Sequence, residues 1–128
     1  MPFAQVHITE GHSADQKRVL IKEITQAVHD SVGAPMPNIR VWLRELPKTD
    51  YGIGGEPVEA LDDANAPFAQ MFMMEGRTEE QKAAVIERVS QAFVTALGTS
   101  LDKTRVWITE VPKTNWGIGG KTAKSIGR

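Results

Sequence analysis

The sequence predicts an α/β (α+β) protein in which two tandem β-α-β units form a four-stranded sheet with two helices on one face. Three observations predict it: the chain repeats itself, each copy passes from a strand-like to a helix-like period and back, and the composition is that of a globular protein. Its 128 residues suit one ordinary domain or two very small ones, and 41% hydrophobic with 24% charged residues excludes disorder and collagen.

Sliding the sequence by about 65 positions lays residues 2–55 on 67–120 without a gap, and roughly two positions in five are identical. Pro2-Phe3-Ala4-Gln5 returns as Pro67-Phe68-Ala69-Gln70, Arg40-Val41-Trp42 as Arg105-Val106-Trp107, and Gly52-Ile53-Gly54-Gly55 as Gly117-Ile118-Gly119-Gly120. The expected organisation is a first unit over 1–57, a linker over 58–66, acidic and rich in small residues, and a second unit over 67–128.

In each unit the first strand, 3–9 or 68–74, begins the fold. Residues 3–9 alternate Gln5, His7 and Thr9 with Ala4, Val6 and Ile8, the period of two, while the copy is far more apolar. Ser13 with Gln16, and Thr78 with Gln81, give the hydroxyl-to-glutamine spacing that caps a helix reciprocally. Leu20, Ile24, Ala27, Val28 and Ser31 then share one face, as do Val85, Val89, Ala92, Phe93 and Ala96, before Gly33 or Gly98 ends a helix of about five turns. A second strand over 39–46 or 104–111 is rich in β-branched and aromatic residues and stops at Pro47 or Pro112. A strand, helix, strand run of this length is a crossover with parallel strands. The glycine-rich ends, 51–55 and 116–120, read as a tight turn or small hairpin.

Two units side by side cover one sheet face with helices and leave the other, carrying Trp42 and Trp107 or their neighbours, to close against other chains. A homo-oligomer is therefore expected. Fifteen Lys and Arg against 16 Asp and Glu give a net charge of -1, without the positive field that nonspecific nucleic-acid or membrane-surface binding requires. Absence of cysteine removes disulfides, thiolate metal sites and a cysteine nucleophile. No leader pattern opens the sequence and no apolar run approaches the roughly 18 residues of a span, so the expected compartment is the cytoplasm.

Pro2 is the most informative candidate. Removal of Met1 would leave a secondary amine, whose reference pKa of about 7.7 to 8.0 falls further with burial or nearby cations, as a general base at neutral pH requires. Pro67 is acylated by Ala66 and has no such nitrogen, so only one copy can use proline chemically.

The run Pro-Phe-Ala-Gln-Val-His-Ile, then Glu-Gly and a capped helix, then Arg-Val-Trp and Gly-Ile-Gly-Gly, resembles the 4-oxalocrotonate tautomerase family over nearly the whole chain, twice. The resemblance implies a tautomerase-like fold, with three fused chains making a homotrimer equivalent to the hexamer of the short members. It implies that Pro2 carries a proton between the oxygen and carbon ends of a dienol, with no cofactor. A family arginine after Glu-Gly matches Arg77, while the first copy departs with His12. A second matches both Arg40 and Arg105, and the aromatic wall matches Tyr51 and Trp116. The expected substrate is a small 2-hydroxydienoate carboxylate, such as 2-hydroxymuconate or phenylenolpyruvate, with Pro2 completed by Arg77 and Trp116 from a second copy. Guanidinium forks suit such carboxylates and the enolate-like charge that develops. Arg77 also stands beside the positive end of a helix dipole, so something other than its own helix keeps it there.

Related chemistries compete with this one. Dehalogenating or hydrating relatives carry an acidic residue in the terminal glycine-rich segment, where this sequence has Ile53 and Ile118. The same architecture could also serve decarboxylation, or act without catalysis as a binding or assembly module. Gly119-Gly120-Lys121-Thr122 resembles a phosphate-loop tail but has Asn115 where the loop needs glycine. His7, His12 and His29 lack metal-ligand spacing, so no metal is expected. Met71, Phe72, Met73 and Met74 are read as an apolar strand packed in the core.

Overall fold

Two alternations of side-chain size set the sheet, and two capped amphipathic segments cover it. The computed structural model describes residues 2–60 and 66–128; Met1, on whose removal the proline chemistry depends, and 61–65 of the expected linker lie outside the described residues. The first repeat runs β1 (Phe3–Thr9), α1 (Ala14–Val32), β2 (Arg40–Leu46), β3 (Gly52–Ile53) and β4 (Glu56–Pro57). The second runs β5 (Phe68–Met74), α2 (Glu79–Leu97), β6 (Arg105–Val111), β7 (Gly117–Ile118) and β8 (Lys121–Thr122).

The main sheet has the order β2-β1-β5-β6. β1 pairs parallel with β2, β5 parallel with β6, and the two central strands antiparallel, with Phe3 opposite Phe72. A helix must lie between parallel neighbours, and both helices pack together on one face, so the expected architecture is the observed one. Ala4, Val6 and Ile8 of β1 and Ala69, Met71 and Met73 of β5 turn inward against Leu20, Ile24, Val28, Val85, Val89 and Phe93.

Both helices open with the reciprocal cap: Gln16 N donates to Ser13 Oγ at 3.1 Å and Ser13 N to Gln16 Oε1 at 2.9 Å, with Thr78 and Gln81 repeating it at 3.1 and 3.0 Å. Gly33 and Gly98 end them at φ 70° and 72°, where a Cβ would be strained.

Three local differences from the sequence reading have physical causes. Ile39 and Thr104 precede their strands because each closes a short 3-10 turn, donating its N–H to Met36 O at 3.1 Å and Leu101 O at 3.2 Å. Ser31 is half-buried and turns its hydroxyl back to Ala27 O at 2.7 Å, while Val32 completes the buried stripe. Phe72 and Met74 fall, by strict alternation, on the helix-free face with Phe68 and Gln70, so β5 is apolar on both sides except at Gln70. That face also carries Trp42 and Trp107, 57% and 62% exposed.

Val58, at the start of the expected linker, is fully buried and donates its N–H to Tyr51 O at 2.8 Å. Ala123 repeats this with Trp116 O at 2.7 Å, so the likeness between the copies extends past the hairpins.

Candidate active site

Because β1 and β5 are antiparallel, the start of each central strand lies at the end of the sheet where the other repeat's second strand finishes and its hairpin begins. Each glycine-rich hairpin is therefore delivered to the other repeat's proline. The β7–β8 turn is made by Gly119 and Gly120 at φ 57° and 83°, two left-handed residues in succession as a two-residue hairpin demands.

At one end Pro2 is fully buried and its carbonyl accepts from Arg40 N at 3.1 Å. Pro2, Phe3 and Arg40 from the first repeat and Trp116, Gly117, Ile118 and Gly119 from the second line a cavity of about 380 Å³. Arg40 is exposed, and its Nη1 donates to Pro37 O at 2.5 Å, which fixes the stem of the guanidinium without using all its donors.

Arg77 follows β5 at this same end but does not line the cavity. Its Nη1 reaches the carbonyl of Val32, the last residue of α1, at 3.4 Å. A cation near the negative end of α1 is favourable, so the neighbouring helix supplies a reason for Arg77 that its own helix does not.

The opposite end gathers Arg105, Tyr51 and His12. A second cavity, of about 410 Å³, is lined by His7, Leu46, Tyr51, Phe68, Arg105 and Trp107, with Pro67 absent from its walls. The Tyr51 hydroxyl donates to Ala66 O at 2.8 Å, the carbonyl of the peptide bond that acylates Pro67. Arg105 Nη1 donates to Asp102 O and Thr104 O, both at 2.8 Å. Burial pushes the His12 pKa below its usual 6.5; Glu45 opposes this, and Lys48 and Lys17 reinforce it.

Of the residues singled out in the sequence, the structure thus brings Pro2, Arg40 and Trp116 to one cavity, sets Arg77 at the same end, and places Arg105 and Tyr51 around another. Sequence reasoning missed Phe3 and the backbone of Gly117 and Gly119 as walls. Phe3 could have been found, since it adjoins Pro2 and points away from the core by alternation. Among the described residues no group of three His, Asp or Glu could hold a metal, and no helix is long and apolar enough to cross a membrane.

The fold is a pair of β-α-β units whose two repeats together line a cavity at Pro2, and the comparisons with known proteins show the family. The family model described as "Tautomerase enzyme" matches residues 2–61 and again 67–125. The chain belongs to the tautomerase family, as a tandem member, and is an isomerase. A 2-hydroxymuconate tautomerase of Pseudomonas putida is 64% identical over 62 residues, which are 48% of this chain and 98% of that one. The crystal structure of a native fused 4-OT superposes with a TM-score of 0.94 at 39% identity, covering 98% of this chain and 99% of that one. A second fused 4-OT, described as an asymmetric trimer, gives 0.89 at 38% identity, with 98% and 99% covered.

Proposed function

We propose that the chain is a cofactor-free keto-enol tautomerase of small 2-hydroxydienoates such as 2-hydroxymuconate or phenylenolpyruvate, with Pro2 as general base and then acid. The observation that carries this reading is the single cavity joining Pro2 and Arg40 to Trp116 of the other repeat. With Met1 removed, the Pro2 nitrogen takes the enol hydroxyl proton, the carbon–oxygen bond becomes a ketone, and the same proton is returned to a carbon of the conjugated chain. Atoms and charge balance, and nothing is consumed. Burial and the Arg40 guanidinium both disfavour a charged ammonium, leaving the amine free to act as base. Arg40 and Arg77 attract the substrate's carboxylates, and Trp116 keeps water from the reacting carbons. Ile118 on the wall offers no carboxylate to ready a water for hydration or dehalogenation.

We infer also a cytoplasmic homotrimer. The doubly apolar β5 and the exposed Trp42 and Trp107 support it, since an aromatic face of this kind calls for a partner. Similarity to a trimeric fused 4-OT adds to this.

The test is ultraviolet-monitored ketonisation of 2-hydroxymuconate by the Met-free protein beside Pro2→Ala. Proton transfer by a positioned group contributes about 10²- to 10⁴-fold, so kcat falls by that order in the variant. Equal rates in the two proteins would remove the mechanism.

A further inference from the structure

The two glycine-rich hairpins agree in shape and differ in charge. Val58 and Ala123 are buried behind them through the same backbone bond, to Tyr51 O and Trp116 O, so the positions around each hairpin correspond. Glu56 stands where Lys121 stands in the second copy, and Glu59 where Lys124 does. Asp50 likewise gives way to Asn115, whereas Lys48 and Lys113 are alike in both copies. All four reversed side chains are exposed, and none is in an ion pair among the described residues.

The reversal lies beside the proposed chemistry. Lys121 is directly opposite Ile118 in the β7–β8 ladder, and side chains paired in this way leave a hairpin on one face, with Cβ atoms about 4.5 to 5.5 Å apart. Ile118 is on the wall of the Pro2 cavity, so Lys121 stands at its rim. Lys124 is tied to the base of the same hairpin, its N–H donating to Lys113 O at 3.2 Å. Of the residues lining the cavity only Arg40 is charged, and Arg77 is turned to Val32 O. A substrate with two carboxylates thus finds one guanidinium on the wall, and every further attraction acts from outside it. Differences between the copies that run the other way are single charges away from the hairpins: Glu79 for Ala14 and Ala83 for Arg18 in the first turns of the helices, and Thr109 for Arg44 on the sheet. Arg18 is already held by Asp15 at 2.6 Å.

We propose that Lys121 and Lys124 are specificity-determining residues that capture doubly charged carboxylates at the mouth of the Pro2 cavity, and that the charge reversal between the hairpins confines this capture to the Pro2 end. The inference rests on the reading of that cavity as the site of ketonisation. A mouth of one sign raises the local concentration and on-rate of an oppositely charged ligand by about 10- to 10³-fold, and the attraction grows with the ligand's charge. It fades as salt shortens the screening length from about 30 Å at 0.01 M to about 3 Å at 1 M. Because the two lysines act on the approach of substrate and not on the reacting atoms, their effect belongs in kcat/KM and not in kcat.

Steady-state ketonisation by the Met-free protein at about 0.01 M ionic strength tests it, with 2-hydroxymuconate as the dianion and phenylenolpyruvate as the monoanion. In Lys121→Glu with Lys124→Glu, kcat/KM for the dianion falls about tenfold or more, and for the monoanion by about the square root of that factor, while kcat stays within about twofold. At about 0.5 M sodium chloride the difference between parent and variant for the dianion shrinks below about threefold. Glu56→Lys with Glu59→Lys changes the net charge as much in the opposite sense, yet leaves kcat/KM within about twofold because it acts at the other end. An unchanged kcat/KM in the first variant, an equal fall for both substrates, a fall carried by kcat, a difference that survives salt, or a second variant that gains what the first loses, overturns the proposal. Circular dichroism verifies folding, and where the first variant is not folded, Lys121→Gln with Lys124→Gln decides, with a fall of about threefold expected for the dianion. A parent inactive on both substrates would count against the proposed reaction. Equilibrium dialysis with trans,trans-muconate then reads capture by itself: a dissociation constant raised about tenfold by the lysine changes supports it, and an unchanged one, or no binding to the parent, overturns it.

Discussion

Pro2 and Pro67 accept the same backbone hydrogen bond, from Arg40 N at 3.1 Å and Arg105 N at 3.2 Å, and both are buried, so position alone does not distinguish them. The proposed chemistry does: Pro67 is acylated by Ala66, whereas Pro2 would become an amine on removal of Met1. The departures between the copies sort by place, with Arg77 and Trp116 at the Pro2 end and His12 and Tyr51 at the other. Selection on one site and relaxation at the other would produce that partition. Trp116→Ala should raise KM for 2-hydroxymuconate by about tenfold, as loss of a buried aromatic contact of order 1 to 2 kcal/mol implies, and steady-state kinetics would reveal an unchanged KM if the wall were unused. Tyr51→Phe should cost roughly 1 kcal/mol of stability by leaving the Ala66 carbonyl without its donor, seen as a lower denaturation midpoint at constant slope.

At the scale of elements, the helices are held at both ends by devices visible in the sequence. Ser13→Ala and Thr78→Ala should each cost about 1 kcal/mol, and Gly33→Ala about 1 to 2 kcal/mol because its φ is 70°. Equal urea midpoints for parent and variants would contradict this. Caps, apolar stripes and strand alternation are local, which is why helices and strands were legible to within a residue. The starts at Ile39 and Thr104 were misread because β-branched residues there serve 3-10 turns, a preference that tertiary pairing decides. Of the site, Pro2, Arg40 and Trp116 were legible as chemistry, and the family resemblance already joined Pro2 to Trp116 of a second copy; what no local pattern showed is why they meet, which follows from the antiparallel contact of β1 with β5. Arg77's bond to Val32 O joins residues 45 apart in sequence, and no spacing rule announces it.

For the whole molecule, the sheet's helix-free face, with Trp42 and Trp107 exposed, is where we propose the trimer contact. Replacing Trp107 by Asp places a charge in that face and should convert the proposed trimer to single chains in sedimentation equilibrium, whereas an unchanged mass would locate the contact elsewhere. Stability should also respond to pH. Burial holds the pKa of His7 and His12 below 6.5 in the folded chain, with Arg44 adding to it at His7 and the opposed charges around His12 leaving it lowered. The unfolded chain therefore binds more protons as the pH drops past 6.5, so this stabilisation is complete above that value and is lost as pH falls through the folded values. His7→Gln with His12→Gln should make the loss between pH 7 and 5 shallower, and identical slopes would rule the two rings out.

The proposed chemistry requires one active centre per chain, at Pro2, and covalent labelling reads that number and its address together. An acetylenic 2-oxo acid accepts an amine by conjugate addition, so the Met-free protein should gain one adduct per chain, mapped to Pro2 by peptide mass analysis, with ketonisation lost in proportion. An active protein labelled elsewhere, or inactivated with Pro2 unmodified, would contradict it.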